Sequence, residues 1–190
     1  FIERVERADL ERFVAAERAD GAPEFAVRTQ GAASDLYVIK FIEPLWHNLS
    51  ASGYDVGSEP VRREAAERAV ATGEATPTGR IPLVQDDRRS AGFLYLLPVY
   101  RNGVDPVMTP AQRQATLVGL VYAPIVVAEL LQSAPQHWDP GLRLRLYDGP
   151  AAAGAALLYE HGQAADADGE AADPRALRTQ RTLHIGGRAL

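Results

Sequence analysis

Ala91-Gly92-Phe93-Leu94-Tyr95-Leu96-Leu97-Pro98-Val99-Tyr100 is a run of ten residues without a charge, rich in aromatic and aliphatic side chains. Such a run, too short for a membrane span and favouring the extended backbone, reads as a strand covered on both faces. Phe93 and Tyr95 share one face and Tyr100 points to the other. Ile81 to Val84 is a second strand, joined to the first by the polar loop Gln85 to Ser90. Leu117 to Tyr122 is a third that pairs in the same sheet, and Ile125 to Gln132 follows as a short helix.

On the N-terminal side, Ser58 suits an N-cap and Pro60 the first turn of a helix that Gly73 closes. Val61, Ala65 and Ala69, with Ala66 and Val70, form its apolar stripe, while Arg62, Arg63, Glu67 and Arg68 are expected to face out. Residues 36–43 read as a mostly buried strand that Pro44 ends, and Phe25 to Arg28 as a short strand-like piece. Residues 1–18 carry Ile2, Val5, Leu10, Phe13 and Val14 near one face and Glu3, Arg7, Glu11 and Arg12 on the other, which predicts an amphipathic helix. Further on, Leu142 to Tyr147, Ala155 to Tyr159 and Arg181 to Ile185 read as strands. Between the last two, Gln163 to Asp173 is acidic, alanine-rich and aperiodic, and reads as a loop. Antiparallel strands with helices to one side, occurring twice, give an α+β class.

At 190 residues the chain is long enough for one good core or two small ones. A net charge of −5, with Lys40 the only lysine, argues against a nucleic-acid partner, which needs clustered positive charge. There are no cysteines, so thiolate and disulfide chemistry are absent. No run of about 18 apolar residues crosses a bilayer, and no signal-peptide pattern opens the chain.

No catalytic constellation emerges. His47, His137, His161 and His184 lack the close spacing of a helical metal site, and neither a nucleophile elbow nor a phosphate-binding loop is present. Asp166-Ala167-Asp168-Gly169 has half the form of a calcium loop, but Leu177 stands where the closing glutamate belongs. The sequence therefore points to no catalytic residue, no metal and no cofactor.

Gly53-Tyr54-Asp55, Arg62-Arg63-Glu64-Ala65, Ala71-Thr72-Gly73, Ile81-Pro82-Leu83, Leu97-Pro98-Val99-Tyr100 and Gly119-Leu120-Val121-Tyr122-Ala123-Pro124 follow one another at defined intervals, preceded by Tyr37-Val38-Ile39 and Ile42-Glu43-Pro44. Order and spacing together resemble the CHASE domain, the extracytoplasmic sensor module of membrane-bound histidine kinases and nucleotide cyclases. The resemblance implies the end of a stalk helix, here truncated, with its linker at residues 1–23. It implies a membrane-distal PAS-like subdomain at 24–132 and a membrane-proximal one at 133–190, the latter cut short by the end of the chain.

The candidate ligand-binding set is Asp55, Thr78, Leu83, Tyr95 and Tyr122, of which Asp55 and Thr78 follow from the resemblance. In the family's plant cytokinin receptors an aspartate in the block matching Asp55 accepts hydrogen bonds from adenine, a task that suits an acceptor-only carboxylate. Asp55 reads equally as a turn aspartate bonding local backbone N–H groups. Thr78 matches a threonine of the plant proteins and also fits a turn role, and Leu83 belongs to the neighbouring strand. Tyr95 and Tyr122 each carry a hydroxyl that needs a partner when buried, which marks them as pocket-lining candidates among the sheet aromatics. Where the plant receptors have small glycines this chain has Tyr122 and Ala123, so a small-molecule pocket carries over but cytokinin as its occupant does not.

The function implied is a periplasmic or extracellular domain of an inner-membrane receptor, binding a small molecule and dimerising through the stalk helix, with a kinase or cyclase as output. The alternative is a structural dimerisation module that senses a partner protein and binds no small molecule.

Overall fold

Residues 2–6 form a strand rather than the opening turns of a helix. The computed structural model of the chain describes residues 1–83, 91–103, 108–132, 142–149, 154–162 and 177–189. In chain order its elements open with β1 (Ile2–Glu6), α1 (Leu10–Ala19), β2 (Asp35–Ile39), α2 (Pro60–Thr72), β3 (Thr76–Pro77), β4 (Ile81–Pro82) and β5 (Ala91–Tyr100). They continue with α3 (Pro110–Thr116), β6 (Leu117–Val126), α4 (Val127–Gln132), β7 (Leu144–Asp148), β8 (Ala156–His161), β9 (His184–Ile185) and β10 (Arg188–Ala189). The loop expected at Gln85 to Ser90 and the acidic stretch Gln163 to Asp173 lie outside the described residues.

Six strands make one antiparallel sheet in the order β2-β1-β6-β5-β3, with β4 also paired to β5. β1 lies between β2 and β6: Ile2 stands opposite Ile39 on one side and Leu120 on the other, and the β2 register continues through Val5 and Leu36. The helix expected over 1–18 survives as α1 alone. The reason is that Ile2 and Val5, three apart, mark one helical face and equally mark opposite faces of a strand. Non-local pairing decides between them, and both residues are buried, each in a different core.

The larger core joins Ile2, Tyr37, Ile39, Leu94, Leu96 and Leu120 to α2, whose Ala65, Ala66 and Ala69 let the helix lie close to the sheet. The smaller core sits on the other face, where Val5, Leu36 and Val38 meet Phe25, Leu10 and Phe13. Helices therefore cover both faces of the β1–β2 end, where the sequence suggests one side. Phe25 to Arg28 forms no strand; Arg28 makes a single bridge to Tyr54.

Helix α2 is capped by Glu59, not by Ser58. The Glu59 carboxylate accepts from the N–H groups of Val61 and Arg62 at 3.0 Å each, and Ser58 instead donates its hydroxyl to the Asp55 carbonyl at 2.6 Å. Pro60 occupies the first turn and Gly73, at φ 78°, ends the helix in the left-handed conformation. Arg63 reaches from α2 to Asp35 at 3.3 Å, and Arg4 of β1 holds the same carboxylate at 2.7 Å. Burial raises the Asp35 pKa, but the two guanidinium groups outweigh it and hold it below the usual value.

The hairpin β7–β8 and the short hairpin β9–β10 are separate two-stranded sheets. They are tied to the main sheet at Asp148, which takes Arg188 at 2.7 Å and the Arg80 N–H at 2.8 Å. The turn at Gly186 presses so close to Ala75 and Pro77 that a Cβ there would lie 2.2 Å from the Ala75 carbonyl oxygen.

The position of β1 is tested by Ile2→Ala. A buried isoleucine reduced to alanine costs about 2–5 kcal/mol, which for a chain of this length lowers the melting temperature by about 4–20 °C. A change below about 1 kcal/mol would place residue 2 on the surface, as in a free helix.

Candidate functional site

Asp55 follows Gly53 and Tyr54 where the chain returns alongside β2. Gly53 is required there by its φ of 73° and by the Ala26 carbonyl, 2.0 Å from where a Cβ would sit. The Asp55 carboxylate is buried. One oxygen accepts from the N–H groups of Tyr37 at 2.8 Å and Gly57 at 2.9 Å, and the other accepts from the Thr29 hydroxyl at 2.7 Å. Its own N–H donates to the Arg28 carbonyl at 2.9 Å. Asp55 therefore stitches residues 28–29, 37 and 57 together, with most of its acceptor capacity used by the protein.

Thr78 is likewise committed. Its hydroxyl donates to the Gly79 carbonyl at 2.8 Å and accepts from the Leu94 N–H at 3.0 Å, joining the β3–β4 segment to β5. Leu83 is a core side chain lying over Gly92, where a Cβ would meet it at 2.9 Å.

The two tyrosines lie on opposite faces of the sheet. Tyr122 stands across from Leu96 on the face covered by α2, whereas Tyr95 stands across from Ala123 on the other. Beside Tyr95 on that face, Leu97 and Val121 are 46% and 50% exposed.

Tyr122 lines an open cleft of about 330 Å³ together with Phe1, Phe41, Ile42, Glu43, Asn48 and Pro124. This volume is at the small end of ligand pockets. The Tyr122 hydroxyl is buried and has no hydrogen-bond partner among the described residues. Burial raises the phenol's pKa well above its usual value, so it stays protonated and can donate. Of the five residues picked out by the sequence, Tyr122 lines the cleft; Asp55, Thr78 and Leu83 belong to the framework beside it, and Tyr95 is on the far face.

One wall of the cleft is the segment 41–49, folded as a single 3-10 turn at Leu45–His47. Asn48 closes it by donating its amide nitrogen to the Pro44 carbonyl at 2.8 Å. Phe41, Leu45, Trp46 and Leu49 project from this segment at 57%, 46%, 72% and 64% exposure. Four large apolar side chains so close together on the surface are unusual outside interaction sites.

Arg62 was expected to face outward and is buried instead. It donates to the Pro82 carbonyl at 2.7 Å, approaches the Tyr54 hydroxyl at 3.4 Å and lies 5.5 Å over the Tyr54 ring. The signal was present in the spacing: 62, 65, 66 and 69 follow the i, i+3, i+4, i+7 pattern of the buried alanines. Polarity concealed it. Among the described residues there is no group of three or more histidine or acidic side chains able to hold a metal, and no helix long and apolar enough to cross a membrane.

The CHASE domain family model matches residues 1–159, most of the chain, and the protein belongs to that family. CHASE domains are extracellular sensor domains of signalling receptors, bind small molecules there and are not catalytic. A search of curated proteins found no match.

Asp55→Ala should destabilise the ligand-free protein. Leaving the buried Tyr37 and Gly57 N–H groups without an acceptor costs about 1–3 kcal/mol each. Asp55→Asn, which keeps one acceptor oxygen, should lose less than half as much in denaturant melts. Wild-type stability in Asp55→Ala would show that the carboxylate is not part of the framework.

Proposed function

We propose that this chain is the small-molecule-sensing part of a transmembrane receptor, exposed to the periplasm or the extracellular space, with its ligand seated in the cleft against Tyr122. The observation that carries this reading is a ligand-sized opening beside a buried hydroxyl with no protein partner. Buried polar groups are almost always hydrogen-bonded; the Tyr122 oxygen lies beneath the cleft surface, so an occupant that displaces the wall side chains would supply the missing partner. Tyr122 is the direct contact in this reading, while Asp55, Thr78 and Leu83 hold the walls in place.

The output is a histidine kinase or nucleotide cyclase, reached through a stalk helix that pairs two copies of the receptor. The curled antiparallel sheet flanked by α1 and α2 supports a PAS-like unit over residues 24–132, to which β1 also contributes. The hairpins from 144 onward supply the second unit, assigned to 133–190. Asp148 joins Arg188 near the C-terminal end to the Arg80 N–H, two residues after Thr78. A change at the Thr78–Leu94 junction would therefore be felt at the C-terminal hairpin. A ligand shifts such an equilibrium only by its difference in affinity for the two arrangements.

A second reading, a module that senses a partner protein, is favoured by the exposed Leu97, Val118 and Val121 on the uncovered part of the sheet.

Trp46 provides the test, because it lies on the segment that walls the cleft, two residues before Asn48, and the chain's other tryptophan, Trp138, can be replaced. In a Trp138→Phe background, at least one class of small polar metabolites should raise the melting temperature and change Trp46 emission together. At a hundredfold excess over Kd the added stability is about 2.7 kcal/mol. A flat response in both readouts across a broad library would favour the partner-sensing module.

A further inference from the structure

We infer that the cleft selects a compact organic cation, an ammonium group carried on a small apolar body; this rests on the cleft being the ligand site. Glu43 is the ionisable acidic side chain of the lining, and it makes no hydrogen bond or ion pair among the described residues. Asn48 points the same way chemically. One hydrogen of its amide nitrogen goes to the Pro44 carbonyl, and its side-chain oxygen stands as an acceptor. Tyr122 adds the surface of its ring, with its hydroxyl buried behind the wall. The wall thus offers a carboxylate and an amide oxygen, and neither lysine nor arginine is among its described residues.

The neighbouring cations have partners of their own, and the Lys40 ammonium also lies 5.3 Å from the centroid of the Phe41 ring. The Lys40 ammonium is held by Glu17 at 2.7 Å and Glu3 at 3.3 Å. Arg28 donates to the carbonyls of Ser50 and Ser52 at 2.5 and 2.8 Å. Glu43 is consequently available to an incoming charge. An ammonium matches it with a charge-assisted hydrogen bond, and the Phe41 and Tyr122 rings, with Ile42 and Pro124, provide apolar and aromatic surface for the rest of the molecule. A carboxylate ligand would face Glu43 with no lysine or arginine of the described lining to offset it, which is how a site rejects the wrong charge.

The test uses matched probes on the wild-type chain: 2-phenylethylammonium, 2-phenylethanol and phenylacetate, together with the butyl and cyclohexylmethyl amine, alcohol and acid series, measured by calorimetry near pH 7. The amines should bind at least tenfold more tightly than the alcohols of the same skeleton, and the acids should not bind. Glu43→Gln should weaken the amines at least tenfold and leave the alcohols unchanged. Glu43 is exposed, so the variant should melt as wild type does. Acids or alcohols binding as well as the amines would overturn the cation assignment, as would amine binding indifferent to Glu43→Gln. If such binding were abolished by the cleft-filling change Asn48→Trp, the cleft would stand as the ligand site and only the class would fall. No binding by any probe overturns the cation assignment, and with no response in the metabolite screen it overturns the cleft as well.

Discussion

The pairing of β1 with β2 and β6 is the constraint on which the rest of the molecule depends. Without it the sheet divides into a β2 ribbon and a β5–β6 hairpin, neither of which has the width to support two cores. With it, Ile2 buries against Ile39 and Leu120 under α2, while Val5 buries against Leu36 and Val38 on the side of α1. A few residues thus fasten both layers. Asp35 reinforces the junction by holding Arg4 from the strand and Arg63 from the helix at once. Asp55 then fixes the returning chain to β2 through the Tyr37 N–H.

The cleft exists because of what this framework leaves loosely attached. Segment 41–49 leaves the sheet after Ile39 and returns at Gly53, whose N–H donates to the Ile39 carbonyl at 2.8 Å. The two ends are therefore pinned side by side while the loop between them projects apolar side chains into solvent. Segments with few buried contacts open at low free energy, and such a segment can follow an occupant without disturbing either core. The carboxylate-centred junction at Asp148 extends the framework to the C-terminal hairpin.

Much of the fold was legible where local pattern and tertiary role agree. The uncharged run 91–100 became β5, the strand at 117 became β6 and continued to Val126, and Gly73 ended α2. The failures have a common cause in non-local pairing. Ile2 and Val5 satisfy a helix and a doubly buried strand equally, and only β2 and β6 decide. Arg62 sits at a core spacing with a surface chemistry, and the Pro82 carbonyl and the Tyr54 ring make its burial tolerable. At the candidate site, the sequence singles out Tyr122 because a phenol in a sheet needs a partner. Tyr95 looked equivalent by the same rule, since the face each occupies depends on cross-strand register. Glu43 lay within a recognised block, yet its availability follows from where Lys40 and Arg28 are held, which no spacing reveals.

The most direct measurement is a methyl NMR titration of the wild-type chain with the tightest-binding probe, because methyl groups report on one face of the sheet at a time. Ile42 lines the cleft, while Leu97 and Val121 lie on the opposite face. The account predicts saturable shifts at Ile42 with Leu97 and Val121 unmoved. Shifts at Leu97 and Val121 with Ile42 unchanged would contradict it and move the binding site to the uncovered face.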